Sequence, residues 1–416
     1  MSQHRPIKDF AQADLDVMAV YDEVWGEIED LWTLCRHYRQ TAPVTPGEMR
    51  VLFGYGADRT FVDFKHYSAF GYDEVAAVLA DPATFANGPV SGPASGKVFG
   101  RILLTMDPPE HTAYRRVLQA AFAPKMVKHW IETLIRPTIH ELLDELAPKG
   151  RGDLVAEFTR TYPFIAIFRL LGLPQADVAT FQKLALAQIL SPAYPDLALE
   201  AGANLNEYFT DMIEARRRRP GDDFISTMMA AEVDGERLPQ DIAIAFLQHI
   251  LQAAADTTYK TTGSMLTGLL RDPAQIEAVR GDRALVPAAI EEALRWDGPV
   301  TATRRMVMKP TVLGGVQLEA NTVLHVVVGS ANHDDERFPD PERFDVFRDR
   351  TSRHFGFGSG PHVCVGMHLA RLQMNEALNA LLDRLPNLRL DPERDPPAIR
   401  GVMMRGPRHI NVLFGD

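Results

Sequence analysis

Ten residues near the C-terminus constrain this chain more than any other stretch: Phe357-Gly358-Ser359-Gly360-Pro361-His362-Val363-Cys364-Val365-Gly366. A cysteine stands where a glycine-rich loop hands over to an amphipathic run, Met367 to Leu385, whose spacing predicts a helix. Unpaired amides and the positive end of a helix dipole there favour the thiolate, so the thiol pKa is expected to be lowered. Glycines let backbone N–H groups approach sulfur and take φ values that a Cβ forbids. A thiolate held this way suits the axial position of a haem iron. The plain alternative is a free core cysteine beside an ordinary loop.

The frame of Phe357, Gly360, His362, Cys364 and Gly366 resembles the haem-ligand loop of the cytochrome P-450 family. An aromatic, glycine, a basic residue, cysteine and glycine recur there at these spacings, with Arg commoner than His at position 362. The resemblance implies a mainly α fold with a small β region in a single domain spanning residues 1–416. Within it, residues 1–70 would hold an N-terminal helix and β segments, and 71–416 the haem-binding body. Cys364 would be the metal ligand, and haem b (iron protoporphyrin IX) the cofactor.

Composition agrees with a large soluble core. The 416 residues are 46% hydrophobic and 24% charged, with no linker, repeat or low-complexity tract. Two cysteines, Cys35 and Cys364, argue against a disulfide framework and fit a reducing compartment. The opening Met1-Ser2-Gln3-His4-Arg5 leads into a polar, acidic stretch, read as neither secretory signal nor membrane anchor. A net charge of −11 disfavours nucleic acid as a partner. The expected setting is cytoplasmic.

Along the chain, residues 12–40 carry a helical pattern through Leu15, Met18, Tyr21, Trp25, Ile28 and Leu31. Val51-Leu52-Phe53 and Thr60-Phe61-Val62 read as short β runs, and Tyr72–Leu79 as a helix stopped at Asp81-Pro82. From Asn87 to Gly100 the composition predicts an irregular, mobile surface loop, which in the resemblance covers the substrate cavity. Asp107-Pro108-Pro109-Glu110 is a helix start. His111 and Arg115, four apart, share a face and can clamp carboxylates or simply form a solvated basic face. In the resemblance this pair binds haem propionate. Helical periodicity continues through Ile131–Leu146, Phe164–Leu171, Val178–Leu190 and Ala203–Arg219, with a hinge-like break at Ser191–Asp196. The run Arg216–Arg219 closes a helix, where positive charge suits the dipole.

Leu238 to Pro273 is the longest uninterrupted helical pattern, and its middle reads Ala253-Ala254-Ala255-Asp256-Thr257-Thr258. Alanines remove bulk so that a flat ring can lie close. An acid and a β-branched alcohol follow where an apolar core prefers neither. Thr257 bonded to its own helix and Asp256 in a salt bridge is one reading; a hydroxyl and a carboxylate relaying protons is the other. The segment resembles the family's oxygen-activating stretch, which makes Asp256 and Thr257 the catalytic pair. Glu292 and Arg295 favour an intrahelical ion pair, and lie at the family's structural Glu-x-x-Arg, with Arg343 assigned as third partner.

Val300 to Arg305 reads as extended, followed by a hairpin, Thr311–Leu313 and Val316–Leu318, about Gly314-Gly315, then a strand Val323–Val328. Arg305 matches the family's propionate-binding arginine, with Arg304 competing. His111, Arg115, Arg305 and His362 would together neutralise the propionates. Ala253, Thr301, Thr303, Met403 and Met404 are the candidate substrate contacts, the methionines lying in a turn between short strands; core filling is the plain reading of both.

The resemblance implies monooxygenation: one atom of O2 enters an apolar small-molecule substrate, by hydroxylation as the default. No flavin or iron–sulfur signature is present in the sequence. Electrons would come from a separate 2Fe-2S ferredoxin with its reductase, or from a flavodoxin, with the enzyme a monomer. The rivals are a peroxide-driven peroxygenase on the same fold and a non-catalytic haem-binding sensor.

Overall fold

The computed structural model describes residues 7–10, 16–57, 61–191, 193–221 and 223–415. Its organising element is the predicted long helix, Gln240–Arg271, 32 residues and therefore about 48 Å at ~1.5 Å per residue. Helices Tyr162–Leu170, Val178–Ile189, Pro195–Arg218 and Val286–Trp296 pack around this central helix. One continuous apolar core runs from Tyr21 through Phe158, Phe168, Phe209 and Leu247 to Leu378 and Leu381. Burial of this extent, at roughly 25 cal/mol per Å² of apolar surface, is the main drive to fold.

Two glycines show how closely the core is fitted. A Cβ on Gly268 of the central helix would stand 2.4 Å from the ring of Phe344. One on Gly360 would stand 2.1 Å from the carbonyl of Leu79, where φ is also +68°. Both positions are closed to larger residues without movement.

The β part is small. Its principal sheet runs, in spatial order, Val44–Pro46, His66–Ala69, Val323–Val326, Thr303–Val307 and Phe85–Ala86. Only His66–Ala69 and Val323–Val326 are parallel; the other pairs are antiparallel. Register sets Arg304 opposite His325 and Arg305 opposite Leu324, so the two arginines leave the strand on opposite faces. The hairpin Thr311–Leu313/Val316–Leu318 forms about Gly314 and Gly315, both at positive φ as a two-residue turn requires. Both elements follow the sequence reading, although the strand at Val323 stops at Val326 and a short helix, Val328–Ala331, follows.

Three expectations need correction. The pattern over 12–40 is two helices, Val17–Trp25 and Leu31–Thr41, because Gly26 turns at φ +77° with the Tyr55 ring against it. Leu15 and the side chain of Met18 lie outside the described residues. Val51 and Leu52 belong to a short helix, Met49–Leu52, and Phe61–Val62 to a tight turn; Thr60 is outside the described residues. The β strands of this region are instead the ones at 44–46 and 66–69. Finally, Asn87–Gly100 is wound, not irregular: Gly88–Ser91, Gly92–Gly96 and Lys97–Phe99 form consecutive helical turns. Pro89 and Pro93 each sit in a first turn, where their missing N–H costs nothing. Val90, Val98 and Phe99 are buried beneath the segment.

The break predicted near Ser191 separates Val178–Ile189 from Pro195–Arg218; Pro192 is outside the described residues. Arg216 pairs with Asp223, and Arg217 donates to Gln240, so the basic run is a helix end tied to its neighbours.

Candidate active site

The cysteine loop is built by short backbone bonds. Gly358 N–H donates to Phe355 O (2.8 Å), Val363 N–H to Gly360 O (3.1 Å), and Cys364 N–H to Phe357 O (2.9 Å). The helix Met367–Arg384 starts directly after Gly366. Cys364 has accessible surface although protein atoms surround it densely, so that surface faces inward to the fold. Burial pushes its thiol up; the Gly366 amide and the charges of Arg115 and Arg371 oppose this without overcoming it. The expected lowering is therefore corrected. The Gly366 amide acts in the expected direction, but desolvation of the thiolate is the larger effect.

A second set of residues gathers beside the loop. His111, on helix Glu110–Ala121, lies against His362 with ring centroids 4.1 Å apart. His362 Nε2 is 3.8 Å from Asp107 Oδ1, an electrostatic contact rather than a hydrogen bond. Asp107 accepts from the amides of Asn87 (2.9 Å) and Gly88 (2.9 Å), which anchors the 88–99 helical turns. Burial raises its carboxyl, yet His362 and the two amides hold it below the ordinary range. Arg305 is buried and donates to Asn87 Oδ1 (2.8 Å), Thr303 Oγ1 (3.1 Å) and Arg304 O (2.7 Å). Burial pulls its guanidinium down to about 10, with Asp107 opposing. Arg304 instead lies over the Phe61 ring at 5.6 Å.

This cluster is short of acceptors. His111 is 1% exposed and, among the described residues, neither ring nitrogen has a hydrogen-bond partner; His362 Nε2 is likewise buried without one. Burial first, then the charges of His362 and Arg115, lower His111 to about 4. Arg115 is half-buried, one turn along the same helix face. Four nitrogen-rich side chains with one carboxylate among them fit an anionic group carrying more than one oxygen acceptor.

On the central helix, Asp256 is fully buried and Ala253 half-buried. Thr257 Oγ1 donates to Ala253 O (3.0 Å), and Lys260 Nζ stands 3.1 Å from Asp256 Oδ1 and 3.2 Å from Oδ2. Both are the contacts of the plainer sequence reading. Lys260 also donates to Tyr21 Oη (2.7 Å). Sequence reasoning passed over Lys260 and Tyr21. A lysine one turn beyond Asp256 was a usable signal; its tyrosine partner, 239 residues away, was not.

The scaffold ion pair is Glu292–Arg295, at 2.7 and 2.9 Å and almost fully buried. Its third member is Arg348, whose Nε reaches both Glu292 oxygens (2.9 and 3.2 Å). Arg343, the expected partner, offers only its carbonyl, which accepts from Arg295 (3.2 Å) and Arg348 (2.7 Å). Arg348 also donates to the carbonyls of Pro339, Asp340 (3.1 Å) and Arg343 (2.7 Å), so this turn of the chain wraps its guanidinium while it reaches the acid. The adjacent Glu291 was not singled out either. It accepts from Arg371 at 2.6 and 2.8 Å and lies 3.0 Å from His354, and Arg371 lies 4.5 Å over the Phe357 ring. Against the effect of burial, these partners bring Glu291 down to about 2. Consecutive glutamates thus tie one helix to the scaffold and to the cysteine loop.

Among the remaining candidates, Thr301 is buried, and its Oγ1 has no partner among the described residues. Thr303 Oγ1 is engaged by Arg305. Met403 O accepts from Thr301 N (3.0 Å), Val300 bridges Met404, and both methionine side chains are half-buried against the core.

A model of the family described as Cytochrome P450 matches residues 166–414. The cytochrome P450 monooxygenase PikC of Streptomyces venezuelae is 36% identical over 332 residues, covering 77% of this chain and 78% of that protein. The mycinamicin IV hydroxylase/epoxidase of Micromonospora griseorubida is 33% identical over 357 residues, covering 82% and 88%. Among solved structures, CYP109E1 from Bacillus megaterium in complex with testosterone aligns with a TM-score of 0.80 at 29% identity, covering 92% of this chain and 99% of that one.

Proposed function

Because the chain belongs to the cytochrome P450 family, as a bacterial-type monooxygenase with haem b, we propose that it hydroxylates a bulky, mainly apolar small molecule. Electrons come from a separate ferredoxin with its reductase, or from a flavodoxin, and the enzyme works as a cytoplasmic monomer. Among the described residues, no helix is long and apolar enough to cross a membrane. The steroid in the CYP109E1 structure supports the substrate class.

Haem, when bound, supplies the iron at which dioxygen is reduced and one oxygen atom is transferred to a C–H bond. Cys364 would hold the haem iron through its sulfur, with Phe357, Gly360 and Gly366 shaping the loop that presents it. The observation that carries this reading is the set of buried imidazole nitrogens without partners, His111 Nδ1 and Nε2 and His362 Nε2, lying next to Arg115 and Arg305. His111, Arg115, Arg305 and His362 would hold the two haem propionates, whose oxygens match the missing acceptors. Asp256 and Thr257 hold and move the protons that oxygen reduction consumes. Glu292, Arg295 and Arg348 hold the scaffold. Ala253, Thr301, Met403 and Met404 contact substrate; of the two candidate threonines, Thr301 is the one whose hydroxyl has no partner among the described residues.

The test is spectroscopic and then chemical. The reduced protein under carbon monoxide is expected to give the red-shifted band of a thiolate ligand, and Cys364→Ala to abolish it together with turnover. Apolar compounds, steroids included, are expected to shift the Soret band from low to high spin, and a hit should be oxidised with reductant and O2. Turnover equal with peroxide alone would favour a peroxygenase. Survival of both the band and turnover in Cys364→Ala would end the reading.

A further inference from the structure

The central helix buries a lysine where a core would exclude one. Lys260 is 5% exposed, one turn beyond Asp256, and both carboxylate oxygens lie within 3.2 Å of its ammonium. Its other identified neighbour is the hydroxyl of Tyr21, 2.7 Å away on helix Val17–Trp25 and itself 1% exposed. Burying a cation carries a heavy desolvation cost, and a helix that needed only packing here would carry an apolar residue.

The space beside this pair is polar, with room for about one water. A polar cavity touches Tyr21 and Lys260 and continues past Tyr259 and Arg160 to Arg400 and Arg408. Arg400 and Arg408 are partly exposed and pair with the exposed Glu27, so the cavity ends at the protein surface. Water in this cavity meets Tyr21 and Lys260 from the Arg400–Arg408 side, and Met404 lines the same cavity.

Resting on the proposed role of Asp256, we propose that Lys260 and Tyr21 form the proton entry of this enzyme, recharging Asp256 from solvent in the Arg400–Arg408 cavity. The step balances as one proton moved inward. Asp256 gives its proton toward the oxygen site, and Lys260 transfers one from Nζ to the carboxylate. The Lys260 amine then regains a proton from cavity water, directly or through the Tyr21 hydroxyl. The contact of Nζ with both carboxylate oxygens, at 3.1 and 3.2 Å, gives the proton a direct path. Lys260 and Tyr21 act through Asp256 and are positioning residues.

Two variants separate relay from scaffolding. Lys260→Arg keeps a cation against Asp256 but cannot release its proton. Tyr21→Phe keeps the ion pair and the ring and removes only the hydroxyl. Each should retain the carbon monoxide band, the substrate-induced Soret shift and the thermal midpoint. In Lys260→Arg, product formed per NAD(P)H consumed should fall by about tenfold or more, with peroxide released in its place. The solvent deuterium isotope effect on oxygen consumption should rise. Tyr21→Phe should move both readouts the same way, several-fold. Infrared difference spectra of the ferric protein should show less proton exchange at the Asp256 carboxyl in Lys260→Arg, with Asp256→Asn identifying the band. Coupling, isotope effect and infrared exchange unchanged in both variants, while Asp256→Asn is impaired, would overturn the proposal. An unimpaired Asp256→Asn would instead overturn the role of Asp256 on which it rests.

Discussion

At the residue scale, the buried Glu292 takes Arg348 as its partner in place of the expected Arg343. Arg348 gives Glu292 a direct charged bond, whereas Arg343 gives its neighbours a carbonyl that any residue would supply. Removing one partner from a buried ion network typically costs about 3–5 kcal/mol, while truncating a side chain used only for its backbone costs roughly 0.5 kcal/mol or less. Arg348→Ala should therefore lose most of the protein's stability in urea unfolding, and Arg343→Ala almost none. The reverse order would return the third place to Arg343. The same contrast explains what was legible. Glu292 and Arg295 are three apart on one helix, so spacing alone pairs them. Arg348 is 56 residues from Glu292, and nothing in the spacing of a single sequence brings the two together.

At the scale of elements, long periodic segments were readable, and short glycine-rich ones were not. The central helix, the helix after Cys364 and the Gly314-Gly315 hairpin each rest on a repeated pattern or a required turn. Asn87–Gly100 has neither, because its helical turns are imposed from outside. Asp107 accepts from the first amides, and Val90, Val98 and Phe99 bury against the core. Tertiary contacts override weak local preference there. The central helix makes the converse point at Gly268, a residue that local preference alone would replace by alanine. Alanine is worth about 1 kcal/mol over glycine inside a helix, but overpacking typically costs about 1–3 kcal/mol. Its Cβ would meet the Phe344 ring, which is itself held edge-on to Trp296 at 5.4 Å. Gly268→Ala should thus destabilise the native protein by about 1 kcal/mol. In a Phe344→Ala background the same change should stabilise, since only the helix preference is left. Thermal melts of the four proteins in that cycle decide it, and a failure of the sign to change would show that the ring is not the obstacle.

At the scale of the whole molecule, the pH dependence of stability reports which buried groups dominate. His333 is wholly buried, stacked on Trp32 at 4.0 Å with Nδ1 2.9 Å from Gly329 O. Burial, with the charges of Arg295, Arg39 and Arg405, holds it well below its ordinary 6.5, and burial lowers His249 to about 4. A histidine lowered in the fold is neutral there and takes up a proton on unfolding as soon as pH drops below about 6.5. The unfolded state then binds more protons, so stability falls as pH falls, by up to about 1.4 kcal/mol per pH unit for a group such as His333. Glu291, lowered to about 2, has the same sign but acts only below its unfolded value of 4.5. The two classes therefore occupy different windows. Stability should already decline between pH 6.5 and 5, where Glu291 is silent in both states. Urea midpoints of the haem-loaded protein over that interval are the measurement, with His333→Gln and His249→Gln beside it. Glutamine cannot take the proton, so each variant should flatten the slope, and the double variant should flatten it further, leaving the share of His111, which burial lowers in the same way. An unchanged slope in the double variant would mean that neither imidazole stays neutral in the fold, contrary to what arginines crowded around His333 require.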